Sequence, residues 1–293
     1  MKRSDVEFAS SGVTCRAWLY RPDSPNPPVI VMAHGLGATR RMRLDAFAER
    51  FTAAGYACLV FDYRHFGDSG GRPRELLSIR RQLADWDAAI TFTRTLPDVD
   101  TARIVIWGTS FGAGHALVIG ARHPELAAVI AQCPFTSGLA SLRALDRAGA
   151  VKVTALGLAD AGAALLRRPP VRVGLVGRAH DAALMTAADA ESGYLRLVPD
   201  DAEFTNAVTA RVALTLPLYH PVRSIRRLRV PTLICVCDRD TVAPAGPTIT
   251  AAEASPMVTL NRYPDGHFDI YVDDGFERVV ADQIAFLQRT VPV

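Results

Sequence analysis

Ile104-Val105-Ile106-Trp107-Gly108-Thr109-Ser110-Phe111-Gly112-Ala113-Gly114 is an apolar run that breaks at a glycine, presents a serine and enters a helical pattern. The first four residues read as a short buried strand, and the pattern from about Phe111 to Arg122 reads as a helix. A strand turning at once into a helix can hold a serine oxygen clear of a sheet. The backbone there is strained, and bulky side chains two residues either side would clash, so Gly108 and Gly112 meet a steric demand. The helix N-terminus then aims free N–H groups and a partial positive charge at any anion formed beside Ser110.

Outward from this junction the same alternation runs through most of the chain. Strands are expected at Thr14 to Tyr20, Pro28 to Ala33, Ala57 to Phe61, Ala127 to Cys133, Thr232 to Cys237 and Val258 to Tyr263. Leu44, Phe47, Ala48 and Phe51 repeat at helical spacing, as do Ile79, Leu83, Trp86 and Ile90, and finally Phe276, Val280, Ile284 and Leu287. Short apolar strands alternating with helices predict a mostly parallel sheet with helices on both faces. The alternation lapses only between Pro134 and Val230, a stretch too long for a loop and rich in Ala, Leu and Arg. It reads as mostly short helices covering the C-terminal edge of the sheet, where ligands bind in open α/β folds.

The 293 residues carry 33 Lys and Arg against 30 Asp and Glu, and the arginines are scattered, which argues against a nucleic-acid surface. Acids flank Val6 with no apolar run behind it, so a cytoplasmic protein is expected. No stretch reaches the ~18 apolar residues of a membrane helix, and the longest candidate, Ala155 to Leu166, contains Asp160, so no membrane partner is expected. Five cysteines, four of them in apolar runs, argue against a disulfide framework, and Cys235 and Cys237 share one strand face as core residues. Phosphate-binding loops, dinucleotide fingerprints and metal-ligand clusters are absent from the sequence, so neither cofactor nor metal is expected.

A second G-x-S-x-G, Gly67-Asp68-Ser69-Gly70-Gly71, competes with the first, and spelling cannot choose between them. His34, Asp62 and Ser69 follow the order of chymotrypsin-like proteases. Those are double β-barrels, which the short span from His34 to Ser69 cannot build, so this copy reads as a turn. The strand-to-helix context selects Ser110.

Four segments together resemble the α/β-hydrolase-fold serine hydrolases: His34-Gly35-Leu36-Gly37 after the third strand, the elbow at Ser110, Asp238-Arg239-Asp240-Thr241-Val242-Ala243-Pro244, and Asp265-Gly266-His267-Phe268-Asp269. The resemblance implies an α/β-hydrolase fold with a core of residues 1–135 and 231–293. A mainly helical cap, 136–230, would be inserted between the sixth and seventh strands. It also implies the triad order Ser, acid, His. Of the seven histidines only His267 follows the acid loop. Asp238 and Asp240 compete for the acid, and the family pattern places it at Asp240. Ser110 would attack, His267 would carry the proton, Asp240 would orient the imidazole, and the backbone N–H groups of Leu36 and Phe111 would form the oxyanion hole.

With His267 as base, the hydrolysis rate should fall below neutral pH, because a free imidazole titrates near ~6.5. His34 should shape the oxyanion loop, and His34 and Phe135 are candidate pocket residues. The segment Asp62-Tyr63-Arg64-His65-Phe66-Gly67 resembles the family's Asp-x-Arg-Gly-x-Gly turn but has His65 in place of a glycine, which could bring His65 to the pocket. Such a protein would cleave small or medium apolar carboxylic esters, lactones or thioesters of small-molecule substrates. Peptide hydrolysis, acyl transfer and slow-turnover ligand reception are the alternatives on the same fold.

Overall fold

The computed structural model describes residues 1–144 and 146–293, and its first element is one the polar N-terminus conceals. β1 (Lys2–Ser10) and β2 (Val13–Arg21) form an antiparallel hairpin closed by Ser11-Gly12, both at positive φ. That two-residue geometry matches the twist of paired strands. β1 is the outermost strand of the sheet, and its charged outward residues suit an exposed edge. The same charges mask it as a strand in the sequence.

From there the expected alternation appears. β3 (Pro28–Ala33), α1 (Leu44–Ala53), β4 (Ala57–Phe61), α2 (Ile79–Thr93), β5 (Asp100–Thr109), α3 (Phe111–Arg122) and β6 (Ala128–Gln132) follow one another. Every residue of β3, β4 and β6 is buried, as continuous apolar runs require in a sheet covered on both faces.

Between β6 and the next strand of this sheet lies the long insertion. It holds α4 (Gly138–Ala144), α5 (Arg147–Leu165), β7 (Arg172–Val176), β8 (Ala183–Met185), α6 (Ala190–Leu195) and β9 (Ala207–Thr209). Two 3-10 turns, Ala210–Leu214 and Leu216–Leu218, and the single turn α7 (Val222–Ile225) complete it. The chain then returns through β10 (Thr232–Cys237), α8 (Gly246–Glu253), β11 (Val258–Tyr263) and α9 (Asp273–Thr290).

The eight-stranded sheet runs β1-β2-β4-β3-β5-β6-β10-β11, antiparallel only where β2 meets β1 and β4. Successive residues of β10 serve opposite faces. Leu233, Cys235 and Cys237 join the cluster containing Val279 and Val280 of α9, while Ile234 and Val236 pack with residues of α3, α7 and α8. Both cysteines are free and buried, and burial pushes the Cys235 thiol up to about 12.

The insertion departs from the expected run of mostly short helices in two ways. It contains a small sheet, β8-β7-β9, and its α5 is a single helix of 19 residues. The apolar stretch Ala155–Leu166 thus forms the C-terminal part and cap of a longer helix that also carries Arg147 and Lys152. The helix begins at Arg147, and among the described residues it alone has the length and composition that could cross a membrane. Asp160 does not interrupt it because the carboxylate is buried and fully bonded. It accepts from Val171 N, Arg211 N, Arg211 Nε and Arg211 Nη2 at 2.9, 2.9, 2.6 and 3.0 Å. Those bonds tie α5 to the segment entering β7 and to the 3-10 turn after β9.

Candidate active site

Ser110 stands between β5 and α3 with φ 55° and ψ −118°, a sparsely populated backbone state that the surrounding bonds hold in place. Its N–H donates to Gln132 O at 2.9 Å, and its carbonyl accepts from Gly114 N at 3.1 Å and Phe135 N at 3.0 Å. A Cβ on Gly108 would fall on the Gly112 carbonyl, and one on Gly112 would fall on the His34 carbonyl. The two glycines thus let β5, α3 and the loop after β3 approach one another closely. Beneath the turn, Trp107 Nε1 donates to Gln283 Oε1 at 2.9 Å and Gln283 Nε2 donates to Gln132 Oε1 at 2.8 Å. The Thr109 and Tyr271 hydroxyls also share a hydrogen bond, which fastens the residue before Ser110 to the turn after His267.

Three side chains from three separate loops meet at this serine. Ser110 Oγ–H donates to His267 Nε2 at 3.0 Å, and His267 Nδ1–H donates to Asp240 Oδ2 at 2.6 Å. A carboxylate can only accept, so the proton sits on Nδ1 and Nε2 faces the serine. The other Asp240 oxygen accepts from Val242 N at 2.9 Å and Ala243 N at 2.6 Å, which fixes the carboxylate. Asp238 turns away and accepts from Arg262 Nε at 2.9 Å. Between the two candidate acids, the geometry brings Asp240 to the imidazole.

The loop after β3 passes over Ser110 at Gly35. His34 Nδ1–H donates to Gly35 O at 3.1 Å and so orients the peptide whose N–H belongs to Leu36. Burial pushes the His34 imidazole down to about 4, so it remains neutral, with its other nitrogen facing Asp62 at 3.8 Å. Among the described residues, neither the Leu36 nor the Phe111 N–H donates elsewhere, which leaves both for an anion beside Ser110. The insertion contributes here too, because Tyr194 OH of α6 donates to Leu36 O at 2.8 Å. A Tyr194→Phe variant should therefore loosen this loop. We expect the rate at which a fluorophosphonate labels Ser110 to fall about fivefold, the effect of one neutral hydrogen bond, as an intact-mass time course would show.

A cavity of 290 Å³ opens beside Ser110 between the main sheet and the insertion. Leu36, Phe111 and Phe135 line its floor, and Leu142, Val153, Leu214 and Pro217 its roof, with no charged side chain in the lining among the described residues. Phe135 is therefore placed at the cavity, packed edge-on to Phe111 at 5.2 Å and stacked on Tyr219. His115 stands behind this aromatic wall, bonded to Tyr219 OH at 2.7 Å and Gln82 Oε1 at 3.0 Å.

His65 does not reach the cavity, and the sequence expectation that it could is corrected. It occupies the glycine position of its turn at φ 74°, and its ring is drawn inward to Pro73 O at 3.0 Å and packed against Gly71. The turn around Ser69 is likewise structural, with its hydroxyl donating to Asp62 O and accepting from Arg16 N. Arg64 pairs with the buried Asp85. Sequence reasoning had no means of finding Tyr194, Tyr271 or the roof residues, which lie in separate segments and share no periodicity.

Comparisons with known proteins agree with this architecture. Residues 24–275 match the family described as serine aminopeptidase, S33, a family of hydrolases. The quorum-quenching protein AidA of Acinetobacter baumannii (strain MDR-ZJ06) is 53% identical over 290 residues, covering 99% of this chain and 95% of that one. A thiohydrolase of Eupenicillium brefeldianum is 29% identical over 299 residues, covering 98% of this chain and 94% of its own. The crystal structure of the alpha/beta hydrolase GrgF from Penicillium sp. sh18 covers 100% of both chains with a TM-score of 0.87 at 24% identity.

Proposed function

The chain belongs to the serine aminopeptidase S33 family of α/β-hydrolases, and from that premise we propose that it cleaves carboxylic esters, lactones or thioesters of small to medium apolar acyl groups. The observation that carries the reading is Ser110, bonded to His267 and through it to Asp240, at the wall of a 290 Å³ cavity whose described lining carries no charged side chain. Ser110 Oγ attacks the acyl carbon while His267 Nε2 takes its proton. The tetrahedral oxyanion is held by the Leu36 and Phe111 N–H groups. His267 then delivers the proton to the leaving oxygen or sulfur, and water, activated by the same imidazole, releases the acid.

The size and lining of the cavity favour an apolar acyl group over a peptide. A free-amino-terminal peptide brings an ammonium group, and burying one without a carboxylate partner is costly. The volume lies at the lower end of small-molecule sites, which suits a short or medium chain. A thiohydrolase among the relatives fits thioester substrates, and a quorum-quenching protein makes removal of a signalling compound a candidate role.

The test is to treat the protein and its Ser110→Ala variant with a fluorophosphonate, read the intact masses, and then assay a chain-length series of esters, lactones and thioesters beside amino-acid arylamides. One adduct on the wild type alone, with turnover of uncharged acyl substrates, supports the reading. Labelling of both proteins, or turnover of arylamides alone, overturns it.

A further inference from the structure

α5 is mostly apolar, with Arg147, Lys152 and Asp160 its charged residues, yet only Gly149, Val153, Gly157 and Asp160 are buried. An apolar helix in a water-soluble setting normally has its whole surface covered. Here the opposite face, Val151, Ala155, Leu158, Gly162 and Leu165, repeats at spacings of four and three and points outward. Val151 is 69%, Leu158 62%, Leu165 85% and Leu166 65% exposed. Apart from the first and last residues of the chain, every exposed large apolar side chain among the described residues lies between Leu139 and Leu218, all within the insertion. Single exposed leucines are ordinary, but a stripe along a helix of 19 residues marks a contact surface.

The charges around the stripe identify what it contacts. Arg143, Arg147, Lys152, Arg167 and Arg168 are all exposed at or near the two ends of α5, and none forms an ion pair among the described residues. The acids of residues 138–170 are already engaged: Asp146 caps α5 and pairs with His180, and Asp160 is buried against Arg211. We propose that the outer face of α5 docks on a membrane surface bearing anionic phospholipid, with the leucines in the acyl boundary and the basic side chains at the headgroups. An apolar stripe flanked by Lys and Arg is the arrangement that binds in the interface plane.

A second copy of the chain fits less well. An antiparallel pairing of two α5 helices sets Arg147 and Lys152 against Arg167 and Arg168, and a parallel one sets each against its own kind. The expectation of no membrane partner rests on spanning length, whereas interfacial docking needs only one face. Ala150 and Thr154, on the flank of the same helix, line the cavity beside Ser110, so a lipid-dissolved amphiphile would enter next to the docked face. The docking itself is independent of the proposed chemistry.

The test is flotation of the full chain with vesicles of phosphatidylcholine alone and of phosphatidylcholine with about one third phosphatidylglycerol. The wild type should bind the anionic vesicles at least about tenfold more strongly than the neutral ones. Leu158→Glu with Leu165→Glu should abolish binding to both, and Arg167→Glu with Arg168→Glu should remove the anionic preference. All four positions are exposed, so thermal midpoints should match the wild type. Wild-type protein that stays unbound, or binds both vesicles equally, overturns the proposal. So does a wild-type dimer in light scattering that the two leucine substitutions dissociate, since the face would then belong to a second copy.

Discussion

On the proposed reading, Ser110→Ala should reduce kcat for an ester substrate by about 10⁶ and Asp240→Asn by about 10⁴, with Asp238→Asn staying within a factor of about two. The first magnitude is that of removing a nucleophile while binding and the oxyanion donors remain. The second comes from the tautomer. Asp240 accepts the Nδ1 proton of His267 at 2.6 Å, and its other oxygen is held by two backbone N–H groups. An asparagine keeps the shape, but its carboxamide can offer an NH₂ to the ring, which favours the proton on Nε2 and blocks acceptance from Ser110. Asp238 serves as control because its partner is Arg262. Pre-steady-state and steady-state kinetics on one ester, with melting curves to show that each variant is folded, measure all three. Equal losses for Asp238→Asn and Asp240→Asn would mean that the loop as a whole, and not the Asp240–His267 bond, supports the base.

The parts of this site that are legible in sequence are those where sterics restrict the residue type locally. Gly108 and Gly112 flank Ser110 because any side chain there would strike a neighbouring carbonyl, and that demand is written within five residues. His267 is also legible, because it alone follows the acid loop. The choice between Asp238 and Asp240 is not a local matter, since it depends on which carboxylate the turn of Val242 and Ala243 pins toward the ring. A resemblance could point to Asp240, but spacing could not. β1 was hidden because an edge strand carries charges on its solvent face, so its pattern looks like a polar tail. His65 misled because a histidine at positive φ can be accommodated by packing on Gly71, which no local rule anticipates. The cavity roof was illegible for a different reason. Leu142, Val153, Leu214 and Pro217 come together only when α4, α5 and the 3-10 turns fold back on one another, and α5 is apolar on both its faces.

Acid should destabilise the fold steeply between about pH 6.5 and 4.5, well before carboxylates reach their ordinary range. Three imidazoles are buried in neutral form. Burial pushes His34 and His65 down to about 4, the latter helped by Arg81, and pushes His115 down to about 3, helped by Arg122. In the unfolded chain each titrates near ~6.5, so below that pH the unfolded state binds more protons than the native one. Stability is then fully present above the unfolded value and is lost as pH falls toward the native values. Each histidine contributes a slope of up to about 1.4 kcal/mol per pH unit, and the three together about 4, against a typical total of about 5–15 kcal/mol. Asp62 and Asp85 act in the opposite sense. Burial raises both carboxyls, so the native state takes up their protons first and the slope flattens at the acid end. Urea midpoints at pH 7.5, 6.5, 5.5 and 4.5 would trace the loss. His115→Gln offers the sharper comparison, since it removes one proton site from behind the Tyr219 wall and should reduce the slope by about a third, even if it lowers stability at neutral pH. A stability that stays level down to pH 4.5 in the wild type would mean that these rings are protonated in the native state, and that the neutral His34 proposed to orient the Leu36 peptide is not what holds the oxyanion loop.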